Sequence, residues 1–421
     1  MKNRNILRPA PADWNLFCPG YNEINTTGGI KVYSIDSGDH EICYAELVFE
    51  NGRLGEEVRL SSRLCANQLL EGSQHKNQRE IAEFFDYYGC TYQVHADLDF
   101  TVISINTLYK YFDIVFTFLI EQITTPVFAE ENLLKEKISL RSQLSHQLSE
   151  PDFVSYRELS AQVFGEDNVY GYNTSEQLID KVTSADIEDY FRNNYTADKL
   201  KVFYCGPKLP ELFWHQRLSD IPASGKKLHC YERTEYTMAR KHFPIARCAQ
   251  TSLKMGLPIF NKTAEDYFPM YVINTILGDY FGSRLMSQVR EKHGLCYDIG
   301  STLDAQLYDG VFYISAELNE SQTNKAIQII QEETRKLQEK GTYPGELQMV
   351  KNYLNGHLLR MIDGPYQSIL LIKILTTEFK DVNAFGKLID TIRNISDDTI
   401  KKVSTTYLDC DKMSIITAGA G

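Results

Sequence analysis

The chain contains two copies of one sequence pattern, about 211 residues apart. In the first half, residues 99–123 (DFTVISINTLYKYFDIVFTFLIEQI) alternate apolar and polar side chains, as a strand does, and then change to helical spacing. Residues 310–334 (GVFYISAELNESQTNKAIQIIQEET) do the same, with Ser104 and Ser315 in register. A repeated unit of this kind restricts the fold to two domains built on one plan.

The match extends to the segments that follow each copy. A loop marked by Pro126 or Pro344 comes next, and then a long amphipathic helix, EENLLKEKISLRSQLSHQL in one half and GELQMVKNYLNGHLLRMI in the other. Both halves close with a capped helix, a turn and an apolar strand, at 183–206 and 395–419. We therefore predict an α+β fold with two homologous domains, each a mostly antiparallel sheet with helices packed on one face.

The segment between the two copies mixes proline, glycine and charged side chains, which is typical of a linker. We predict an N-terminal domain over residues 1–215, a linker over 216–245 and a homologous C-terminal domain over 246–421. A chain of 421 residues is long enough for two such domains.

Charge and cysteine usage narrow the class of partner and the compartment. The formal net charge of −12 argues against nucleic acid and against an anionic membrane surface. The nine cysteines form no C-x-x-C pair, which favours a reducing compartment over a disulfide framework. The first residues lack the apolar core of a signal sequence, and no 18-residue apolar run occurs. We expect a cytoplasmic protein.

A helix–turn–helix segment near the start of the chain, residues 62–90 (SRLCANQLLEGSQHKNQREIAEFFDYYGC), follows a predicted strand. Gly72 ends the first helix, and a second helix ends at another glycine. This arrangement resembles the start of the pitrilysin and mitochondrial-processing-peptidase family. In that family the first helix carries H-x-x-E-H, in which two histidines four residues apart bind zinc and the glutamate activates water.

The resemblance assigns the three motif positions to residues that cannot bind zinc. Aligning Gly72 with the family's glycine places the motif at Arg63, Ala66 and Asn67. An arginine is a permanent cation, an alanine has no base, and an asparagine is a poor neutral ligand. The family's third ligand, a downstream glutamate, matches Glu136, which without the histidines is interpreted as a solvated helix carboxylate. We expect no metal bound by this chain.

The second half holds a more specific string, residues 273–301 (INTILGDYFGSRLMSQVREKHGLCYDIGS). It resembles the family's second-domain signature, a G-S-R-L turn followed by R-E-K-x-G-L-x-Y. The resemblance implies that Arg290 and Tyr297 hold the substrate backbone and stabilise the oxyanion at a zinc site reached across the chamber. The residues alone also allow a basic helix C-terminus followed by a core aromatic residue. Arg284 is interpreted as a structural salt-bridging residue.

The family resemblance covers nearly the whole chain and implies how it works. Two such domains form half of a clamshell chamber, so members of this length pair with a second subunit around a peptide. Some bacterial members divide the work: one subunit keeps H-x-x-E-H and its partner keeps only the Arg/Tyr pair. The sequence therefore predicts the non-catalytic subunit of a heterodimeric zinc endopeptidase, with zinc expected in the partner.

Three alternatives to this function are open. In the first alternative, two copies of this chain form a homodimer in place of the heterodimer. In the second, the chain is a structural or peptide-binding homologue without a peptidase role, like the core proteins of the cytochrome bc complex. In the third, it is a zinc peptidase with an atypical ligand set. The second predicts no dependence on Arg290 and Tyr297, and the third predicts stoichiometric zinc.

Overall fold

A computed structural model of the protein describes residues 16–38, 40–246 and 248–420. The strands are β1 (Asn22–Asn25), β2 (Lys31–Asp36), β3 (Ile42–Phe49), β4 (Thr91–Ala96), β5 (Thr101–Leu108), β6 (Leu200–Gly206), β7 (Arg240–Pro244), β8 (Thr251–Ile259), β9 (Cys296–Ala305), β10 (Gly310–Leu318) and β11 (Ser414–Gly419). The signal-sequence prediction concerns residues 1–15, which lie outside the described residues.

Helices account for most of the remaining described residues. The first half contains α1 (Ser61–Gln68), α2 (Gln78–Tyr87), α3 (Tyr109–Thr124), α4 (Glu130–Gln147), α5 (Pro151–Phe164), α6 (Glu176–Lys181), α7 (Ser184–Asn194) and α8 (Glu211–Arg217). The second half contains α9 (Tyr267–Leu277), a π-helix (Met286–Lys292), α10 (Thr323–Lys340), α11 (Glu346–Met361), α12 (Gly364–Thr377), α13 (Ala384–Asn394) and α14 (Asp397–Tyr407).

The strands form two sheets with the same topology. The first has the order β1-β2-β6-β3-β5-β4, and the second has the order β7-β11-β8-β10-β9. Each contains one parallel pair, β2 with β6 and β7 with β11, and the other pairs are antiparallel. The two sheets therefore match strand for strand apart from β1. The predicted fold class, α+β with two homologous and mostly antiparallel domains, is confirmed.

The register of the duplication can be read from equivalent residues. Ser104 lies opposite Glu46 in the first sheet, and Ser315 lies opposite Lys254 in the second, as the predicted register requires. Gly89 follows α2 with φ of 61°, and 205 residues later Gly294 follows the π-helix with φ of 59°. α2 and the π-helix are therefore equivalent segments.

The long helices α4 and α11 are also equivalent, and one lysine on each shows the register between them. Lys351 donates to the main-chain oxygens of Arg393 and Ile395, just after α13. Lys137 donates in the same way to the main-chain oxygen of Asp180 at the end of α6. The structural counterpart of Lys351 is therefore Lys137, because both lysines close the same helix–helix contact.

Each domain packs its own helices on one face of its sheet, as predicted, but the other face takes a helix from the opposite half. α5, from the first half of the chain, packs on β8 and β11 of the second sheet through Leu159 and Val163. α12, from the second half, packs on β2 and β6 of the first sheet. The halves thus exchange one helix each, which the sequence did not predict.

An ion pair with one buried member accompanies each exchanged helix, and the two pairs have opposite polarity. Lys254, at the centre of β8, has a 3% exposed side chain and pairs with Asp152 at the start of α5. At the equivalent position of β3, Glu46 has a 6% exposed side chain and its carboxylate lies 2.7 Å from the ammonium of Lys373 on α12. A buried charge needs a partner, so these pairs fix which sheet each helix contacts.

The predicted domain boundaries stay a prediction, and the structure adds which segments join which sheet. α8 packs Trp214 into the core of the first domain. β7, from within the predicted linker, pairs with β11 in the second sheet. None of the helices in the described residues is long and apolar enough to cross a bilayer.

Candidate functional site

The first set of candidate positions lies on α1, whose backbone begins with a strained residue. Leu60 precedes the helix with φ of 73°, in the left-handed region that non-glycine residues rarely adopt, and its side chain is buried. The equivalent residue before α9, Asp266, has an ordinary φ of −83°. A residue held in this region costs free energy, and such strained residues cluster at functional sites. The helix that carries the motif positions therefore begins in a conformation that is typical of such sites.

α1 packs on α4, and the polar side chains along this contact form two hydrogen-bonded pairs. The Asn67 Nδ2 atom donates to Glu136 Oε1 at 2.7 Å. The Arg63 Nη2 atom donates to Gln143 Oε1 at 3.1 Å. The structure therefore brings Arg63, Asn67 and Glu136 together, which the sequence alignment required. Ala66, on the same helix, is 1% exposed and contributes no polar atom.

These four side chains do not fit a zinc ion. Burial lowers the pKa of Arg63, and the nearby Glu136 raises it, but a guanidinium remains a cation at any physiological pH. The Asn67 amide presents its NH₂ group to Glu136, so its donor rather than its oxygen faces the only carboxylate of the set. In the described part of the chain, no three His, Cys, Asp or Glu side chains lie close enough to hold a metal.

Glu136, interpreted from the sequence as a solvated helix carboxylate, has one hydrogen-bond partner in the structure. It is partly buried and accepts the hydrogen bond from Asn67. Its charge also reaches Glu71, whose pKa is raised above its usual value by burial first and then by Glu136. An asparagine in place of a metal ligand therefore gives the remaining carboxylate a neutral partner.

The second set of candidate positions lies after α9, and Arg290 is carried by the π-helix. π-helices are rare and occur frequently at functional sites. The Arg290 Cζ atom lies 5.3 Å from the ring centroid of Tyr297 and 5.2 Å from that of Phe281. Its Nη1 atom also contacts Met286 Sδ at 3.6 Å. Among the described residues no carboxylate pairs with this guanidinium, so most of its N–H donors are open to an incoming acceptor.

Tyr297 is directed outward by an irregularity of the sheet. β9 pairs with β10 at Cys296 and again at Ile299, but the register shifts between these points, so Tyr297 lies in a β-bulge. Its side chain is 79% exposed. Bulges are common next to active sites because they re-aim a side chain. The alternative in which Tyr297 is a core aromatic residue is therefore wrong.

Arg284 lies six residues before Arg290 and has the structural role expected of it. Its guanidinium is 3% exposed and donates to both carboxylate oxygens of Glu346, at 2.9 and 2.6 Å. It also donates to the Gly341 oxygen at 2.7 Å and lies 4.1 Å from the ring centroid of Tyr343. The Nε and Nη2 donors of Arg284 are occupied within the domain, whereas no carboxylate among the described residues pairs with Arg290.

The two sets of candidate residues belong to different domains. Arg63, Asn67 and Glu136 lie in the first, and Arg290 and Tyr297 lie in the second. No hydrogen bond, ion pair or ring contact among the described residues joins the two sets. The contacts of the described residues therefore do not join the two sets into one site.

The sequence interpretation did not single out Phe281 or Gln143. Phe281 lies within the quoted turn GDYFGSRL, but nothing in the sequence says that its ring is 65% exposed and beside Arg290. Gln143 lies seven residues after Glu136, and this spacing on α4 is the signal that could have placed both residues on the face toward α1.

The architecture and the paired positions together define the class of protein. A duplicated α+β chain with a helical metal motif in one domain and an Arg/Tyr pair in the other has the plan of a zinc peptidase. Here the ligand positions are occupied by residues whose chemistry does not fit the metal. Residues 31–172 match the model of the insulinase family, peptidase family M16, and residues 181–354 match the model of the peptidase M16 inactive domain. The chain belongs to peptidase family M16.

Relatives of the chain bear both peptidase and non-peptidase names. The chain is 23% identical over 313 residues to the uncharacterized zinc protease YmxG of Bacillus subtilis, covering 73% of this chain and 75% of that protein. It is 23% identical over 322 residues to the non-peptidase homolog YmxG of Helicobacter pylori, covering 74% of each. The solved peptidase M16 inactive domain from Pseudomonas fluorescens superposes with a TM-score of 0.87 at 21% identity, covering 96% of this chain and 99% of that one.

Proposed function

We propose that the chain is the non-catalytic subunit of a heterodimeric zinc endopeptidase. It supplies Arg290 and Tyr297 to the active site of an H-x-x-E-H partner subunit and forms one wall of the peptide chamber. The partner subunit is expected to hold the zinc. The observation that carries the proposal is the contrast between a first domain whose ligand positions do not fit a metal and a second domain whose Arg/Tyr pair is assembled and open.

The chemistry of the open pair suits a peptide carbonyl. Arginine N–H groups and a tyrosine hydroxyl are donors, and a carbonyl oxygen that gains negative charge during hydrolysis accepts more strongly from them than the ground state does. Arg290 has no carboxylate partner among the described residues, so no internal ion pair has to break before it binds. The exposed Tyr297 is within reach of the same acceptor.

Two backbone irregularities at this pair support a functional role. The π-helix carries Arg290 and the β-bulge carries Tyr297. Irregularities of this kind weaken regular hydrogen bonding, and they are retained where a side chain has to be aimed. Their coincidence at two residues that contact each other favours a site over two unrelated surface residues.

We also propose that the protein acts in the cytoplasm. All nine cysteines are free, which suits a reducing compartment. The acidic chain then meets a peptide substrate in the closed chamber rather than a nucleic acid or a membrane surface.

The test reconstitutes the chain with the H-x-x-E-H homologue from the same genome and follows the cleavage of internally quenched fluorogenic peptides. We expect hydrolysis only by the mixture. Arg290→Ala is expected to lower kcat/KM on the order of 10²–10³-fold, the usual loss for one donor to a developing oxyanion. Tyr297→Phe removes only the hydroxyl and should also lower the rate. Variants as active as the unmodified complex would refute the proposal.

A second function, peptide binding without proteolysis, is favoured by one comparison. The Helicobacter pylori relative is named a non-peptidase homolog. In that case the chain binds the same labelled peptides, alone or as a homodimer, and no partner confers hydrolysis. Equilibrium binding measured by fluorescence anisotropy beside the hydrolysis assay separates the two functions.

A further inference from the structure

Phe281 is an exposed aromatic residue with one specific neighbour. Its side chain is 65% exposed, and its ring centroid lies 5.2 Å from the Arg290 Cζ atom. A single exposed apolar side chain is ordinary on a protein surface and needs no explanation by itself. Phe281 differs from such a residue because its ring contacts the guanidinium of Arg290, which the proposed function assigns to the active site.

The turn that carries Phe281 is anchored on the domain. The preceding ring, Tyr280, lies 4.8 Å from the ring of Tyr353 on α11 with an interplanar angle of 30°. The following residue is Gly282, where a Cβ atom would come within 2.7 Å of the Tyr280 ring. The glycine therefore permits the close turn, and the contact between the two tyrosine rings helps to hold it in place. Phe281 is consequently presented from a fixed backbone.

The contacts around the Arg290 guanidinium contain no formal negative charge. They are the rings of Phe281 and Tyr297 and the sulfur of Met286. A ring face attracts a guanidinium but accepts no strong hydrogen bond from it, whereas a carboxylate would occupy two of its donors. Aromatic contacts therefore restrict the side chain while the N–H groups stay available.

We propose that Phe281 is a positioning residue for Arg290. This role rests on the proposed function. Phe281 orders the Arg290 guanidinium before the peptide carbonyl arrives, and Phe281 makes no bond to the reacting atoms. A long arginine side chain loses rotamer freedom when it binds, and a prior contact with a ring reduces that loss in the complex. The hydrolysis rate should depend on Phe281 only while Arg290 is present.

A double-mutant cycle in the reconstituted heterodimer tests this dependence with internally quenched fluorogenic peptides. Phe281→Ala is expected to lower kcat/KM roughly two- to tenfold, the range of a cation–π contact. In the Arg290→Ala background the same change should have no further effect. Phe281→Tyr should restore the rate because it keeps the ring. Phe17→Ala, which removes another exposed phenylalanine of 68% exposure, is the matched control.

A spectroscopic measurement on the chain alone gives a readout that is independent of activity. In the ¹⁵Nε–¹Hε spectrum of arginine-labelled protein, the Arg290 signal, assigned with Arg290→Lys, should be shifted by ring currents. Phe281→Ala should move it toward the exposed-arginine position, and Phe17→Ala should not. An unshifted signal in the unmodified chain overturns the inference.

The two assays separate failure of the inference from failure of the proposed function. If Phe281→Ala lowers hydrolysis equally with and without Arg290, Phe281 acts through the fold and the inference is wrong, while the proposed function stands. If Phe281→Ala has no effect but Arg290→Ala does, the inference also fails alone. If Arg290→Ala leaves hydrolysis unchanged, the proposed function itself is wrong.

Discussion

The two halves of the molecule place different side chains at equivalent points of one backbone plan. Phe85 of α2 and Tyr92 of β4 are the counterparts of Arg290 and Tyr297, 205 residues later in the chain. In the first half the two rings lie 4.4 Å apart, with Phe85 fully buried and Tyr92 partly buried. In the second half the pair is a cation and an outward-facing phenol. One arrangement stabilises the core, and the other is open to a ligand.

The backbone differs at the same points. α2 is a regular helix that begins with a capping box at Asn77, and β4 pairs with β5 without a shift. Their counterparts in the second half are a π-helix and a bulged strand. Regular geometry packs the side chains inward, and the irregular geometry turns them out. The difference between the halves is therefore made by the backbone as well as by residue type.

The opposite contrast holds on the first helix of each half. Arg63 and Asn67 on α1 make polar contacts with α4, whereas the equivalent positions on α9 are Pro269 and the buried Ile273. The first half thus has polar side chains at the positions of the family's metal ligands. The second half has apolar side chains at the equivalent positions of α9. The two copies therefore differ at both sets of candidate positions.

Restoring the metal motif is the change with the largest expected effect on this comparison. Arg63→His, Ala66→Glu and Asn67→His together recreate H-x-x-E-H, with Glu136 as third ligand. The Asn67 Nδ2 and Glu136 Oε1 atoms are already 2.7 Å apart. We therefore expect the triple variant to bind about one equivalent of zinc with micromolar or tighter affinity. Metal content after dialysis and competition with a chelator measure it.

The control for this experiment adds Glu136→Gln to the three substitutions. Loss of the third ligand should remove most of the affinity. If the triple variant folds but binds no more zinc than the unmodified chain, the geometry of the first domain has moved away from a metal site, and the contrast between the halves is wider than the sequence indicates.

The two arginines of the second half should respond in opposite ways. Arg284→Ala leaves the largely buried Glu346 carboxylate with the Tyr343 N–H but without its cation, and we expect a loss of about 3 kcal/mol in the free energy of unfolding. Arg290→Ala removes two ring contacts and the contact with Met286 Sδ, with an expected loss of less than about 1 kcal/mol. Urea unfolding of both variants measures the difference. Equal losses would mean that Arg290 is also a structural residue.

The exchanged helices provide a test of the symmetry between the domains. Asp152→Ala leaves the ammonium of Lys254 buried beside Ser315 alone, and Lys373→Ala leaves Glu46 with Tyr44. Each change should reduce the free energy of unfolding by about 2–3 kcal/mol, because Asp152 and Lys373 retain some contact with water.

Lys401→Ala is the control for these two variants. Its ion pair with Asp398 is exposed, and such pairs contribute little to stability. Urea unfolding compares the three variants. If Asp152→Ala or Lys373→Ala reduces the free energy of unfolding no more than the control does, the stability of the corresponding domain does not depend on its ion pair. The exchange of helices is then less symmetric than the packing indicates.

The smallest expected effect is on the pH dependence of the stability of the first domain. The pKa of Glu71 is raised by burial and by Glu136, so the folded chain holds this proton at pH values where the unfolded chain has released it. Stability therefore falls as the pH rises from the ordinary glutamate pKa through the raised one. Glu136→Gln should lower the pKa of Glu71 and reduce that fall, as measured by carboxyl NMR and unfolding at several pH values.

Much of the fold could be predicted because it depends on patterns within short segments. The strand and helix that contain Ser104, and their repeats around Ser315, follow from side-chain periodicity, which local geometry imposes on any soluble sheet or helix. The absence of histidine at Arg63 and Asn67 is likewise a property of residue type.

The sequence by itself determined the duplication, the α+β class and the residue types at both candidate positions, because each of these is a local pattern or an identity. Only the tertiary structure decided that α5 and α12 are exchanged, that Phe281 contacts Arg290 and that Tyr297 faces outward. These features depend on which surfaces meet across long separations in the chain. A contact of that kind is set by the packing of whole domains, and a short sequence window does not contain it.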